Sequence, residues 1–207
     1  MERGSPLVLK IDAESPDESI IARAAQILRG GGLVVFPTET VYGLAADGTN
    51  PAAVERLNRV KGRPPEKPYS VHLHEAAQVR EFVRAVPPLA QRLMAKFWPG
   101  PVTIVMPLDN GQTIGFRLPD HAVARAFLRR CATRVVAPSA NRSGEPPPTD
   151  PTHIATSLGK DFDCLLDAGP TPVGHESTVV QVVGGELRIL REGAVPAQAI
   201  AACVARA

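Results

Sequence analysis

The sequence predicts an α/β fold, a single domain with a twisted mixed β-sheet flanked by helices, and three observations carry that expectation. Short apolar runs of strand length, such as LVVF, VTIVM and CLLD, alternate along the chain with stretches of helical period. Hydrophobic residues make up 44% and charged residues 21%, which suits one packed core and argues against disorder. No repeat, low-complexity tract or linker divides the 207 residues, so residues 1–207 read as one domain. The Pro-rich GEPPPTDP is the one candidate boundary, and too little chain follows it for a second domain with a sizeable core.

The elements follow in order. SPDESIIARAAQILRG predicts a helix with Ser15 as N-cap, Pro16 at the first position and Glu18 closing a capping box. Its apolar Ile20, Ala24, Ile27 and Leu28 recur at helical spacing, and Gly30 to Gly32 end it. LVVF is a buried strand. In NPAAVERLNRVK, Asn50 caps and Pro51 starts a second helix, which delivers Lys61 and Arg63 just past its end. YSVHLH alternates as a strand, and Glu75–Val83 and Pro88–Phe97 read as helices. WPGP turns into the strand VTIVM, and TIGFR is another strand. DHAVARAFLRRC reads as helix, with Arg125, Arg129 and Arg130 on its solvated face, followed by the strand RVVA. DPTHIATSL is a capped helix, CLLD a strand, and Gly184-Gly185 turns STVVQVV into LRILRE as a hairpin. A final helix spans Pro196 to Ala205.

Composition excludes several function classes. A net charge of +2 is too small for nucleic-acid binding by bulk electrostatics, so any anion site is local. Cys131, Cys164 and Cys203 are scattered and odd in number, which fits a reducing compartment and not a zinc site or disulfide framework. MERGSPLVLK lacks the apolar run of a signal peptide, and no segment reaches membrane-spanning length, so the expected location is cytoplasmic. GGGLVVF places its glycines before a strand, so it is neither a dinucleotide fingerprint nor a P-loop. GHEST is not HExxH, and APSANRSG lacks the GxSxG elbow.

Four strand-end loops hold the candidate chemistry: PTETVYGL, KGRPPEKP, APSANRSGEPPPT and GHEST. Each is rich in hydroxyls, amides, glycine or cations, groups that grip phosphate and carboxylate oxygens. In VKGRPPEKPY, Lys61, Arg63 and Lys67 sit among prolines that restrict the backbone. Fixed cations predict a fixed anion. Trp98 in WPGP reads as core.

PTETVYGLAAD, KGRP, WPGPVTIVM, GFRLPDH, APSANRSGEPPPT, GHESTVV and LREGAV, in this order, resemble the YrdC/Sua5 family of L-threonylcarbamoyladenylate synthases. The likeness runs from about Gly31 to Val195 and is to the short single-domain form. It implies a twisted sheet with a concave basic face that holds the ligands. It also implies a reaction in which L-threonine, bicarbonate and ATP, the last with Mg²⁺, give L-threonylcarbamoyladenylate and pyrophosphate. The product is the donor for N6-threonylcarbamoyladenosine at tRNA position 37, so a weak tRNA contact and downstream threonylcarbamoyl-transferase proteins are the implied partners.

Residue by residue, Lys61 and Arg63 match the family's K-x-R, and Ser139 and Asn141 its S-x-N, as the catalytic set. Arg63, Lys67, Thr113, Ser139, the backbone of Pro147 and Arg191 fall on ATP-contacting positions. Thr40, His72, Arg117, the backbone of Ala137 and Ser177 fall on threonine-holding positions. Arg117 is expected to grip the α-carboxylate through two parallel N–H bonds. No protein side chain is expected as a metal ligand, since Mg²⁺ is held largely by phosphate and water. Gln181 and Pro147 depart from the family's frequent Asp and Ser, which leaves two alternatives: an RNA-binding paralogue or a carbamoyladenylate-forming relative.

Overall fold

Local chemistry sets where the helices begin and end in the computed structural model, which describes residues 4–63 and 68–205. Helix α1 (Glu18–Arg29) starts at Asp17, whose carboxylate accepts from the Ser19 and Ile20 amides. The expected Ser15 cap is displaced because Asp12 draws the Ser15 amide into a turn, 2.8 Å to Oδ1. The buried face of α1 is Ile21, Ala24, Ala25 and Leu28, one position round from the expected stripe. Helix α2 (Pro51–Lys61) begins as expected, with Asn50 accepting from Ala52 and Ala53. Gly62 ends it at φ 60°, a left-handed conformation that glycine adopts freely. Helices α3 (Pro88–Phe97), α4 (Ala122–Cys131), α5 (Ile154–Leu158) and α6 (Ala197–Ala205) follow. The helix expected over Glu75–Val83 is a 3₁₀ helix, Ala76–Glu81, closed by reciprocal Glu75 and Gln78 contacts.

Ten strands form one mixed sheet: β1 (Leu7–Lys10), β2 (Val34–Phe36), β3 (Gly43–Asp47), β4 (Val71–His72), β5 (Val102–Pro107), β6 (Thr113–Arg117), β7 (Val135–Val136), β8 (Cys164–Asp167), β9 (Thr178–Val183) and β10 (Glu186–Arg191). Their order is β1-β8-β2-β3-β7-β4-β6-β5-β9-β10. Because β8 inserts between β1 and β2, the chain after the Pro-rich segment completes the sheet that the chain before it began. That segment is therefore a loop of the domain and not a boundary. YSVHLH contributes only β4, which lies between β7 and β6, so His72 occupies the sheet interior and not an edge. Strand β3 has no counterpart in the sequence reading, since GLAAD carries no β-branched or aromatic residue. All five of its residues are buried, and small residues fit there: a Cβ on Gly43 would come 2.9 Å from the Phe36 ring.

Alternating side chains divide the core between two faces. Leu33, Val35, Leu44 and Ala46 pack with α2, α3 and α6 on one side, where Trp98 is also buried. Val34, Phe36 and Ala45 pack with α1 and α4 on the other. No helix among the described residues is long and apolar enough to cross a membrane.

Gly184 and Gly185, at φ 60° and 82°, turn the β9–β10 hairpin. Beyond it, Thr178 Oγ1 donates to the Val195 carbonyl at 2.6 Å and accepts from the Gly193 and Val195 amides at 3.0 Å. This ties the chain after β10 to the start of β9. The approach is so close that a Cβ on Gly193 would lie 2.2 Å from the Glu176 carbonyl oxygen. Gly193→Ala is therefore expected to destabilise by about 1–3 kcal/mol through overpacking. That corresponds to a fall of roughly 2–10 °C in Tm. A melting curve matching wild type would show that the contact relaxes freely.

Candidate functional site

Register places a row of side chains on one face of the sheet. Val105 pairs with Gly115 on β6 and with Gln181 on β9, and Thr103 pairs with Val179. Period-2 alternation then puts Thr103, Val105, Thr113, Gly115, Arg117, Val179 and Gln181 together as the floor of a cavity of about 730 Å³. The loops after β2, after α2, after β7 and before β9 form its walls.

Of the thirteen positions singled out in the sequence, twelve line this one cavity: Thr40, Lys61, Arg63, His72, Thr113, Arg117, Ala137, Ser139, Asn141, Pro147, Ser177 and Arg191. Lys67 lies outside the described residues. The lining cations Lys61, Arg63, Arg117 and Arg191 stand against the lining carboxylates of Glu145 and Glu176.

Lys61 differs from its expected part. Its ammonium donates to the Ser139 carbonyl at 2.7 Å, to the Asn141 carbonyl, and to Asn141 Oδ1 at 3.4 Å. With 4% of its surface exposed, it holds the loop after β7 against the end of α2. Burial, helped by the charge of Arg63, pulls its pKa down to about 8. The three oxygen acceptors work the other way, since only the ammonium carries three N–H donors. Arg63 is the freer cation. One Nη2 bond goes to the Pro68 carbonyl at 3.0 Å, and the guanidinium lies 4.7 Å from the centre of the Tyr69 ring. Its Nε is buried without a partner among the described residues.

On the cavity floor, Arg117 Nη2 donates to Glu39 Oε1 at 2.9 Å and to Thr40 Oγ1 at 3.1 Å. The two charged residues are 4% and 6% exposed. Either parallel pair of guanidinium N–H bonds in the expected two-pronged grip uses Nη2, which here is engaged by Glu39 and Thr40, while Nη1 and Nε have no hydrogen-bond partner among the described residues. Thr40 Oγ1 also meets Thr38 Oγ1 at 2.9 Å. Burial, reinforced by the nearby Arg117 charge, pushes the His72 pKa down to about 3, so the ring is neutral at physiological pH. Its Nδ1 has no hydrogen-bond partner among the described residues.

Ser177 Oγ lies 3.0 Å from Thr103 Oγ1, and the Ser177 carbonyl accepts from Arg191 Nε at 3.2 Å and Nη2 at 2.9 Å. Glu176 pairs with Arg191 Nη1 at 2.8 Å. The arrangement joins a hydroxyl-rich pocket around a buried arginine to a rim of cations, with apolar Val105 and Val179 between the strands' polar positions.

Sequence reasoning missed Glu39, Thr103, Glu176 and Tyr69. Glu39 and Glu176 stand inside the quoted PTETVYGL and GHEST loops, beside residues that were selected, so adjacency was a usable signal. Thr103 gave no signal within VTIVM, because only the β5–β9 register shows that it faces Ser177.

Comparison with known proteins places the chain in a family. A family model named Sua5/YciO/YrdC, described as telomere recombination, matches residues 26–193. A threonylcarbamoyl-AMP synthase of Bacillus subtilis is 37% identical over 93% of this chain and 59% of its own length. A putative threonylcarbamoyl-AMP synthase of Mycobacterium tuberculosis is 36% identical over 92% of this chain and 91% of its own. The crystal structure of Pyrococcus abyssi Sua5 complexed with L-threonine superposes with a TM-score of 0.90 at 34% identity, over 96% of this chain and 61% of that one. The chain thus spans about three-fifths of the Bacillus and Pyrococcus proteins. With that family model covering most of its length and the fold in agreement, the chain belongs to the Sua5/YciO/YrdC family.

Proposed function

We propose that the protein is an L-threonylcarbamoyladenylate synthase acting in the cytoplasm. Threonine and bicarbonate give the N-carboxylate of threonine with loss of water. A carboxylate oxygen then attacks the α-phosphorus of ATP. The new P–O bond forms as the bond to the β-phosphate oxygen breaks, and pyrophosphate leaves. The observation that carries this reading is the convergence of twelve motif residues on one cavity lined by hydroxyls and cations. The solved Sua5 relative with L-threonine and the synthase names of similar proteins support it.

Both reacting groups are anions, so charge neutralisation and in-line alignment should supply most of the acceleration. Arg63 would neutralise phosphates, joined by Arg191 on exchange of its contacts with Ser177 and Glu176, with Ser139, Thr113 and the Pro147 backbone as polar contacts, and Lys67 belongs to the same proposed set. Asn141 and Lys61 fix the loop that carries Ser139. Thr40, His72, Arg117, Ala137 and Ser177 form the amino-acid end. Neutral His72 adds a donor or acceptor there without adding charge. Mg²⁺ would arrive with the triphosphate, and Glu145 and Glu176 are the lining carboxylates that its water shell would meet. The labile product would pass to threonylcarbamoyl-transferase proteins acting on tRNA, with at most a weak tRNA contact here.

The direct test is incubation with ATP, bicarbonate and L-threonine while pyrophosphate is followed. Threonine-dependent release is expected. Release driven instead by carbamoyl phosphate would replace this reading with a carbamoyladenylate-forming one.

Arg63→Ala should weaken ATP binding by tenfold or more, because a charge-assisted bond contributes about 1.5–3 kcal/mol. Threonine binding without nucleotide should stay within about threefold. Equal loss of both, measured by calorimetry, would make the loop structural.

Selectivity offers a second check. Serine lacks one methyl, which a pocket discriminates by only about 1–3 kcal/mol. Valine lacks the hydroxyl and would leave buried polar groups unpaired around Thr40, His72 and Ser177. Serine at raised concentration should therefore release pyrophosphate and valine almost none. Valine turning over like serine would mean that the pocket reads size alone.

A further inference from the structure

Glu39 is buried, charged and absent from the cavity lining, yet it contacts a residue that does line it. Its Oε1 receives Arg117 Nη2 at 2.9 Å, while the second Nη2 hydrogen goes to Thr40 Oγ1 at 3.1 Å. Two acceptors on one nitrogen fix the plane of a guanidinium, because its five N–H groups lie in a rigid fork. Arg117 stands on β6 at Thr103's level of the floor, held between β4 and β5. With Nη2 anchored from behind, the fork presents Nη1 in a single orientation. Among the described residues, Arg117 Nε and Glu39 Oε2 are both buried without partners, so the pair is joined at one point and not as a bidentate clamp.

We propose that Glu39 is a positioning residue for amino-acid recognition: through its hydrogen bond to Nη2 it sets the angle at which Arg117 meets the substrate carboxylate. The proposal rests on the synthase reading only in taking that ligand to be L-threonine. Orientation is set by two acceptors on the same nitrogen, Glu39 Oε1 and Thr40 Oγ1, of which Glu39 is also the charged one. The two contributions separate chemically. Glutamine keeps an oxygen acceptor at the same reach but carries no charge. Alanine removes both.

The experiment is calorimetric titration of L-threonine, and separately of ATP, into wild type, Glu39→Gln and Glu39→Ala, with thermal melts alongside. Expected are threonine affinity within about threefold of wild type for Glu39→Gln, a loss of tenfold or more for Glu39→Ala, and ATP affinity within about threefold for both. A tenfold loss in Glu39→Gln as well would overturn the proposal, because charge and not orientation would then carry the effect. Unchanged threonine affinity in Glu39→Ala would also overturn it, leaving Glu39 a structural residue. Should Glu39→Ala fail to fold, Glu39→Asp withdraws the acceptor by one methylene and is read against the same limits. Wild type that binds no threonine would sink both the synthase reading and this role. Wild type that binds threonine, with all variants alike, would sink this role alone.

Discussion

Lys61 Nζ lies 2.7 Å from the Ser139 carbonyl and also meets both oxygens of Asn141, so the last residue of α2 is bonded to a loop 78–80 residues later. Burying an ammonium costs several kcal/mol unless its donors are satisfied. Three oxygens satisfy them here, and they belong to the loop that forms one wall of the cavity. The bonds therefore run in both directions. The loop makes the buried charge tolerable, and the charge gives a Pro- and Gly-rich loop a fixed course.

Other contacts extend that constraint. Ser143 donates its amide to the Lys61 carbonyl at 2.9 Å, and Ala140 donates to Tyr42 at 2.8 Å, joining the loop after β7 to the loop after β2. Tyr42 in turn donates its hydroxyl to Gly169 at 2.6 Å and its amide to Pro148. Outside, Arg142 reaches Ser157 on α5 and pairs with Asp161 at 3.0 Å. Three walls of the cavity thus share one hydrogen-bonded frame. Arg63, one residue past the Gly62 cap of α2, takes its position from that frame while retaining donors for a ligand.

The fold was legible wherever the signal was local. Asn50-Pro51 and the glycine pair at 184–185 mark a helix start and a hairpin by their own chemistry, and the structure has both. Strand β3 was not legible, because a Gly- and Ala-rich run becomes a strand only through burial on both faces. Site residues were legible as a set through the likeness of the ordered motifs to a family, because His72, Thr113, Arg117 and Arg191 lie on strands whose composition alone does not mark them. Their tasks were less so. Nothing in KGRPPEKP distinguishes a cation whose donors meet an incoming anion from one whose donors meet backbone 80 residues away. Nor does GFRLPD show that Glu39 takes one nitrogen of Arg117. Such facts belong to tertiary placement, and pattern reading stops short of them.

Hydrogen exchange on Lys61→Met tests the frame most directly, because methionine fills similar space without donors. If Lys61 assembles the cavity wall, the amides of Ala140 and Ser143 should lose protection by an order of magnitude or more, while those in α1 and α4 exchange as in wild type. Unchanged protection at Ala140 and Ser143 would contradict the account. The loop would then hold its course without the buried ammonium, and Lys61 would be free to act on a ligand.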